Sequence, residues 1–431
     1  MDLQGHLLIL PEEDSYMKRK IRVLSSLLIV LLLLFQTACS KPANTSGNTN
    51  SDSSVTTESG TPTIAIATKT PTEELGLSSK SQSNKKSASK TKKQTDIILK
   101  PYDDIRGLFG KQAIYEKNEY RVEDIITFTF NKDTVLKGNE RLQEEIMENG
   151  KNPGLGIRKL HKKGITGKGI NVAIIDQNLL LHHPEFDGKI AGYYDTGCEQ
   201  EPSSGSMHAP AVTSILVGNK IGVAPDAKVY FAAAPSWKGD SEYYAKGLYW
   251  IIEENKKLPE GEKIRVVSVS AAPSGEGSFF TKNTKMWDEA VLVAQEAGIL
   301  VLDCRSDKTT GIIAPAYYDT ENPEDVARCK GGYPTYKYVV PSTYIGVPTS
   351  FRTVAEEYFE GTPSYQYTGQ GGLSWGIPYA AGVLALGWQV NPALDNDQII
   401  RTLFDTCTVS NDGSNIIDPA AFIEAVKKTK K

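Results

Sequence analysis

The sequence predicts an α/β fold, a parallel β-sheet with helices on both faces. Short apolar runs typical of buried strands alternate with longer amphipathic stretches through residues 155–431. Such alternation implies parallel strands joined by right-handed crossovers, whose helices cover both faces of the sheet. We expect strands at Asn171–Ile175, Val229–Ala233, Ile264–Val269 and Ile299–Leu302. We expect helices at Tyr243–Glu254, Trp287–Ala297, Asp395–Phe404 and Pro419–Lys427.

The N-terminus, residues 1–39, has the features of a bacterial export signal. Basic residues from Lys18 to Arg22 precede an uncharged run, Val23–Phe35, which is short for a bilayer span but suits a signal peptide. The Thr37-Ala38-Cys39 sequence that follows resembles a lipobox, in which the cysteine becomes lipid-modified and begins the mature protein. We therefore expect an exported protein anchored through Cys39 to the outer face of the bacterial cell membrane.

Two features of this segment leave alternatives open. Gln36 departs from the aliphatic residue usual in a lipobox, so plain secretion is the second choice and a retained N-terminal anchor the third. The acidic residues Glu12–Asp14 are unusual ahead of a signal peptide, so Met17 is an alternative start.

Two regions separate the signal from the α/β domain. Residues 40–96 are rich in Ser, Thr, Asn and Lys and contain no aromatic residue, a composition that predicts a disordered tether. Residues 97–154 form an N-terminal extension without an assigned role, with a strand expected at Asp124–Phe130 and a polar helix at Glu140–Met147. Within the domain, the Tyr-, Pro- and Gly-rich segment Lys308–Gln370 is expected to form loops near the cleft.

The most informative motif surrounds Ser374. Gly371 and Gly372 allow a tight turn before this serine, and the small residues after it allow a helix to pack closely into a core. Pro378 suits the first turn of that helix, where a missing N–H costs no hydrogen bond. Ser374 is therefore expected beside unpaired backbone N–H groups that could bind an oxyanion.

A serine nucleophile needs a base and a group that orients the base. His208 begins a segment with helical apolar spacing, so its imidazole should stand at a helix N-terminus. Asp176 ends a predicted parallel strand, and side chains at such ends point into the crevice where these sheets bind ligands. Asp176 and His208 are therefore the candidate partners of Ser374.

The order Asp176, His208, Ser374 resembles that of the subtilisin-like serine proteases, or subtilases. The segments Gly164–Asp176 and Gly222–Tyr230 also resemble subtilase segments at the same places in the order. The resemblance runs from about Gly156 to Lys428. It implies that Asp176 orients the histidine, that His208 acts as general base and then acid, and that Ser374 attacks the carbonyl.

The residues around the triad depart from the family pattern. Subtilases carry an oxyanion-hole asparagine after a buried strand, whereas the strand ending at Leu302 leads into Asp-Cys-Arg-Ser-Asp, 303–307. Counting from Gly298 places Ser306 or Asp307 at that position. The substitute donors are Ser306, Arg305 or Thr309.

The expectation for substrate binding also rests on the resemblance. Ser270, Ala271 and Ala272 resemble the segment that pairs with an extended peptide and walls the specificity pocket, and a plain strand end is the alternative.

The histidines, calcium and the cysteines have the following expectations. His182 and His183 are expected in a structural turn rather than at a metal. Calcium is implied by the family alone, since no Asp/Asn-rich loop identifies a site. Four cysteines beyond Cys39 permit disulfides or free thiols equally: Cys198, Cys304, Cys329 and Cys407.

Composition and motifs exclude some other functional classes, but they do not by themselves select a subtilase. The net charge of −4 gives no sign of nucleic-acid binding. The sequence contains no Gly-Lys-Ser/Thr phosphate loop and no close Cys/His cluster for zinc.

Three hypotheses for function follow. The first is a membrane-tethered serine endopeptidase that cuts exported or wall-associated polypeptides, and labelling of Ser374 by a phosphonate would support it. The second is a catalytically silent subtilase fold that binds peptides or partners without turnover. The third is a maturation peptidase with one partner substrate, which would leave casein uncut.

Overall fold

The computed structural model describes residues 98–108, 110–116, 120–198, 206–305, 309–358 and 362–430. All of them belong to one compact unit. The predicted signal peptide with Cys39, the predicted tether and the oxyanion candidate Ser306 lie outside the described residues.

The described residues form the following elements. The strands are β1 (Ala113–Tyr115), β2 (Phe130–Asn131), β3 (Thr134–Leu136), β4 (Asn171–Asp176), β5 (Ile190–Asp195), β6 (Lys228–Ala233), β7 (Ile264–Val269), β8 (Leu300–Leu302), β9 (Ile313–Tyr317), β10 (Lys330–Tyr333), β11 (Tyr336–Lys337), β12 (Ile345–Pro348), β13 (Arg352–Tyr358), β14 (Thr362–Thr368), β15 (Thr408–Val409) and β16 (Asn415–Ile416). The helices are α1 (Val122–Ile125), α2 (Glu140–Asn149), α3 (Ile157–His161), α4 (His208–Val217), α5 (Ser241–Lys257), α6 (Thr284–Glu296), α7 (Gly376–Val390), α8 (Asn396–Asp405) and α9 (Pro419–Thr429).

The central sheet has the strand order β5-β6-β4-β7-β8, and every neighbouring pair is parallel. Successive side chains of a strand point to opposite faces. In β4, Val172 and Ile174 pack with residues of α4 and α7, whereas Ala173 and Ile175 pack with residues of α5 and α6. The predicted α/β fold, a parallel sheet with helices on both faces, is confirmed.

The segment expected to form loops before Ser374 is instead rich in strands, β9 to β14. Strands β9 to β12 join β15 and β16 in a second sheet, and β13 and β14 form an antiparallel hairpin. The hairpin buries polar side chains, including Glu356 and Gln366, because residues of the N-terminal extension cover them. This burial of polar residues hid the strands from a prediction based on apolar patterning.

The N-terminal extension differs from its prediction in one element. The expected strand Asp124–Phe130 is wrong, because helix α1 ends at Ile125 and a strand begins only at Phe130. The Arg121 N–H donates to the Asp124 carboxylate at 3.2 Å, which caps the short helix. Ile125 and Phe128, three residues apart, both enter the core, a helical rather than a strand spacing. The predicted polar helix is present as α2.

Gly369 has no room for a side chain where the extension meets the loop before Ser374. A Cβ there would collide with the backbone carbonyl of Thr127, and the Gly369 N–H donates to the Phe128 carbonyl at 3.1 Å. We expect Gly369→Ala to lower the free energy of unfolding by about 1–3 kcal/mol, because overpacking forces the backbones apart. Thermal unfolding would measure it. Gly261→Ala is the matched control, since a Cβ at Gly261 meets no atom within 4 Å. Equal melting temperatures for the two variants would contradict this packing.

Candidate active site

Asp176 is placed by the central sheet. It is the last residue of β4, at the carboxyl end of a strand that has parallel neighbours on both sides. Its side chain is 3% exposed. The Gln177 N–H donates to Oδ1 at 2.8 Å, which fixes the carboxylate's orientation. The sheet thus presents a buried, oriented carboxylate in the crevice above its carboxyl edge.

His208 is the first residue of α4, and its ring faces this carboxylate. Nδ1 lies 2.8 Å from Asp176 Oδ1 and 3.0 Å from Oδ2. A carboxylate only accepts hydrogen bonds, so this contact assigns the ring hydrogen to Nδ1 and leaves Nε2 as the acceptor. The His208 side chain is 29% exposed, which leaves the ring accessible from the cleft.

The pKa of His208 reflects two opposing influences. Burial of the ring lowers the pKa, whereas the negative charge and hydrogen bonds of Asp176 raise it. The influence of Asp176 is the stronger, and the pKa of His208 lies above the ordinary value of 6.5. The ring is therefore a stronger base than a free imidazole.

Ser374 lies in a 3₁₀ turn, Leu373–Trp375, that leads directly into α7. Its hydroxyl donates to the Ser270 carbonyl at 3.2 Å, and the Ser270 hydroxyl donates to the Ser374 carbonyl at 2.8 Å. The Trp375 ring packs edge-on against His208, with ring centroids 5.4 Å apart. The structure therefore joins Asp176 to His208 directly and brings the Ser374 turn against the same imidazole.

The hydroxyl of Ser374 must leave the Ser270 carbonyl before it can give its proton to His208. Catalytic hydrogen bonds are often loose in unbound enzymes and tighten when substrate binds.

The start of α7 also supplies anion-binding groups. The Trp375 N–H donates to the Gly372 carbonyl at 3.0 Å, and this bond closes the turn. The backbone N–H groups that precede Trp375 are those that the start of a helix leaves without an intrahelical partner.

Arg305, an expected oxyanion donor, is held in a structural network. Nε donates to the buried Asp303 carboxylate at 2.7 Å, and Nη1 donates to Asp288 at 2.8 Å. Nη1 and Nη2 also donate to Ser274 and Thr310, at 3.0 and 2.7 Å. All three guanidinium nitrogens thus donate hydrogen bonds within this network, which argues against the expected role of Arg305 as an oxyanion donor. Thr309 is exposed beside this network.

The Ser270–Ala272 segment directly follows β7 and lies beside Ser374. The Ala271 carbonyl accepts from the Cys304 N–H at 2.9 Å, and the Ala272 carbonyl accepts from the Ser278 hydroxyl at 2.5 Å. Ala271 and Ala272 are only partly buried, so the segment borders the cleft.

Sequence reasoning missed two neighbours of Ser374. Burial raises the pKa of the Cys304 thiol, and the Ser374 side chain acts against that rise. Trp375 contacts the imidazole. Position next to Ser374 was the only sequence signal for Trp375, and the sequence left Cys304 open between a disulfide and a free thiol.

His183 and the cysteines that the structure describes have structural surroundings. His183 is buried, with Nε2 2.8 Å from the Ser364 carbonyl, and its Nδ1 accepts from the Glu185 N–H at 3.1 Å. The four cysteines that the structure describes are free thiols. Within the described residues no group of three or more His, Cys, Asp or Glu could hold a metal ion. Among the described residues no such cluster identifies a calcium site.

Comparison with known proteins decides the family. The model of the subtilase family matches residues 167–418, more than half of the chain. The chain belongs to the subtilase family. This subtilase is 24% identical over 258 residues to subtilisin NAT of Bacillus subtilis subsp. natto, a match that covers 58% of this chain and 63% of that protein. It is 26% identical over 260 residues to the M-protease of Shouchella clausii, covering 58% of this chain and 61% of that protein. The match thus spans less than two thirds of either relative.

Solved structures also resemble this subtilase. Fervidolysin from Fervidobacterium pennivorans, described as a keratinolytic enzyme related to subtilisin, has 17% identity and a TM-score of 0.46, with 65% of this chain and 47% of that chain covered. The prenylagaramide maturation protease PagA has 18% identity and a TM-score of 0.46, with 63% of this chain and 98% of that chain covered. Among the residues that the structure describes, no helix has both the length and the apolar composition that a membrane span requires.

Proposed function

We propose that this subtilase is a serine endopeptidase that hydrolyses a polypeptide substrate through Asp176, His208 and Ser374. The observation that carries the proposal is the contact of His208 Nδ1 with the buried Asp176 carboxylate, at 2.8 and 3.0 Å, beside the Ser374 turn. That contact gives the imidazole the tautomer and basicity that a general base for a serine hydroxyl needs.

The chemistry follows from these groups. His208 Nε2 takes the proton of the Ser374 hydroxyl as Oγ attacks the scissile carbonyl carbon. The tetrahedral oxyanion is stabilised by N–H groups at the start of α7. The imidazolium, held by Asp176, then gives its proton to the leaving amine, and the C–N bond breaks. Water activated by the neutral imidazole hydrolyses the acyl-enzyme and restores Ser374.

Substrate binding is proposed along Ser270–Ala272. The segment continues a strand and is bonded to Ser374 through Ser270, so an extended peptide laid along it would bring its carbonyl to the hydroxyl. Ala271 and Ala272 are small, which leaves room for a substrate side chain. Export and anchoring through Cys39 are proposed on the sequence of residues 18–39, and they would give this site exported or wall-associated polypeptides as substrates.

One observation favours the alternative of a silent peptide-binding subtilase. In the loop after β8, the residues the structure describes offer no amide side chain, and Arg305 is held by Asp303 and Asp288. Loss of one oxyanion donor costs about a hundred- to a thousandfold in rate. That loss leaves room for slow turnover, because nucleophile and base remain.

The experiment is digestion of a diverse peptide library, with products read by mass spectrometry. The endopeptidase proposal expects new peptide termini with wild-type protein and none with Ser374→Ala. Binding of library peptides to both proteins without new termini would replace the proposal by the silent alternative. Casein in the same assay tests the third hypothesis, since a dedicated maturation peptidase would leave it uncut.

The rate of Ser374 labelling by a fluorophosphonate should rise with pH, with a midpoint above 6.5. His208 accepts the serine proton only when neutral, so activity is present above its raised pKa and is lost as the pH falls through it. In Asp176→Asn the imidazole should titrate at lower pH, because the charge that raises its pKa is gone. The pH dependence of labelling in the wild type would give the first midpoint. NMR titration of the His208 ring in both proteins would give the difference between their imidazole midpoints. Equal midpoints in the two titrations would contradict the proposed electrostatics.

A further inference from the structure

The N-terminal extension shares a hydrophobic core with the rest of the domain. Tyr367 of β14 belongs to the same buried cluster as side chains of the extension. Those side chains are Ile105, Tyr120, Ile125, Phe128, Phe130, Leu136 and Ile146. Phe130 stacks on Tyr367 with ring centroids 5.0 Å apart, and β2 pairs with β14 at these two residues. Removal of the extension would therefore uncover Tyr367.

The extension also satisfies a buried charge of the domain. Glu356 of β13 is 3% exposed. The Asn131 side-chain amide donates to both of its carboxyl oxygens, at 3.3 and 3.1 Å, and the Arg106 guanidinium lies 3.6 Å away. A buried carboxylate without such partners is costly. Removal of the extension would therefore break these bonds and expose Glu356 to solvent.

Two contacts lead from the extension to the segments that carry the proposed catalytic groups. Arg106 Nη1 donates to the Met207 sulfur at 2.9 Å, and Met207 directly precedes His208. The Phe128 carbonyl accepts from the Gly369 N–H at 3.1 Å, in the loop that leads to Ser374. The segments that lead to His208 and Ser374 are therefore both hydrogen-bonded to the extension.

The contacts of the extension leave the proposed substrate segment open. Described residues of the extension bond to β13, β14, Met207, Gly369, Lys220 and the 318–324 segment, and none of these bonds reaches Ser270–Ala272. The described residues of the extension therefore pack against the β13–β14 hairpin, and the hydrogen bonds named above do not reach the proposed substrate segment.

We propose that residues 98–153 are a permanent part of the catalytic domain, and that Arg106 is a positioning residue that holds the His208 segment through Met207. The second half rests on the proposed function. Removal of the segment on activation would uncover Tyr367 and Glu356 and break the contacts to Met207 and Gly369. The extension is instead retained in the active protein and supports the segments of His208 and Ser374.

The first test is the intact mass of active protein. The full chain, produced in an exporting bacterium, is labelled with a fluorophosphonate, and the labelled species are weighed. Every labelled species should retain residues 98–153. A labelled species that begins beyond residue 154 would overturn the proposal.

The second test compares Arg106→Ala with Arg121→Ala. Arg121 also belongs to the extension, but its side chain is 76% exposed and pairs only with Glu123 and Asp124. We expect Arg106→Ala to label about tenfold more slowly while still folded, because small displacements of catalytic groups are costly. Arg121→Ala should label within about twofold of the wild type.

Met207→Leu separates positioning from general stability. It keeps the side chain's volume and removes the sulfur acceptor, so it should slow labelling by about threefold without a change in melting temperature. The double variant should be no slower than Arg106→Ala alone, because Arg106→Ala already removes the contact that Met207→Leu breaks. Additive losses, or full labelling in folded Arg106→Ala, would refute the positioning role.

Failure of the proposed function would be distinguishable from failure of this inference. If the wild type is never labelled, the endopeptidase proposal and the positioning role of Arg106 fall together, whereas the permanence of the extension is still tested by the intact mass of the exported protein. Deletion of residues 98–153 tests separately whether the domain needs the extension in order to fold. We expect the deletion variant to aggregate or to lack a cooperative thermal transition. A soluble variant that melts cooperatively would show that the domain does not need the extension.

Discussion

His208→Ala is expected to lower the labelling rate and any peptide turnover by about 10⁶-fold, the order measured for loss of the base in a subtilisin. The reason is that Ser374 has no other described base, and Asp176 meets the serine only through the imidazole. Asp176→Asn should cost about 10⁴-fold, because an amide facing Nδ1 favours the wrong ring tautomer. Rates of fluorophosphonate labelling at fixed pH would measure both effects.

The matched control for the base is His182→Ala. The His182 side chain is 85% exposed, and its partner is Asp187 at 3.7 Å, a surface pair. This variant should label at the wild-type rate. A His208→Ala protein that keeps even a tenth of the wild-type rate would mean that another group activates the serine.

Arg305→Ala is expected to lower the free energy of unfolding by about 3–5 kcal/mol, because it leaves the Asp303 carboxylate buried without its cation. Asp303 is fully buried, and Arg305 Nε lies 2.7 Å from it. Burial already raises the pKa of Asp303, with Arg305 acting against the rise. A raised carboxyl pKa means that stability falls as the pH rises through it, so the loss in this variant should be smallest at acidic pH. Chemical unfolding at two pH values would measure it.

Two comparisons make this prediction specific. Arg141→Ala removes a guanidinium that is 91% exposed and 3.7 Å from Glu145, and it should change stability by less than about 1 kcal/mol. Asp303→Asn combined with Arg305→Ala should be more stable than Arg305→Ala alone, because no buried charge remains. Unchanged stability in Arg305→Ala would contradict the structural role of Arg305 and return it to the oxyanion candidates.

The parts of the fold that could be predicted were those in which one physical effect dominates. The strand ending at Asp176 is a continuous apolar run because it is buried on both faces, and α4 and α7 begin at or just beyond His208 and Ser374 because small residues and Pro378 suit closely packed helix starts. The β13–β14 hairpin could not be predicted, because its Glu356 and Gln366 are buried by a partner segment more than two hundred positions away. A separation of 101 residues hid the contact of Arg106 with Met207 in the same way.

The candidate site was likewise predictable only in part. Residue type and order were enough to nominate Asp176, His208 and Ser374, since few side chains can serve as orienter, base and nucleophile. The role of Arg305 depends on which of several nearby acceptors its guanidinium meets, and sequence cannot rank Asp303, Asp288 and Ser274 as partners.

The measurement that tests the central claim most directly is the site of fluorophosphonate modification in folded protein that begins after Cys39. The account predicts one adduct, on the peptide that contains Ser374, absent from Ser374→Ala and His208→Ala proteins that melt like the wild type. A cooperatively folded wild-type protein without an adduct on Ser374 would contradict the account and leave a subtilase fold that binds without cutting.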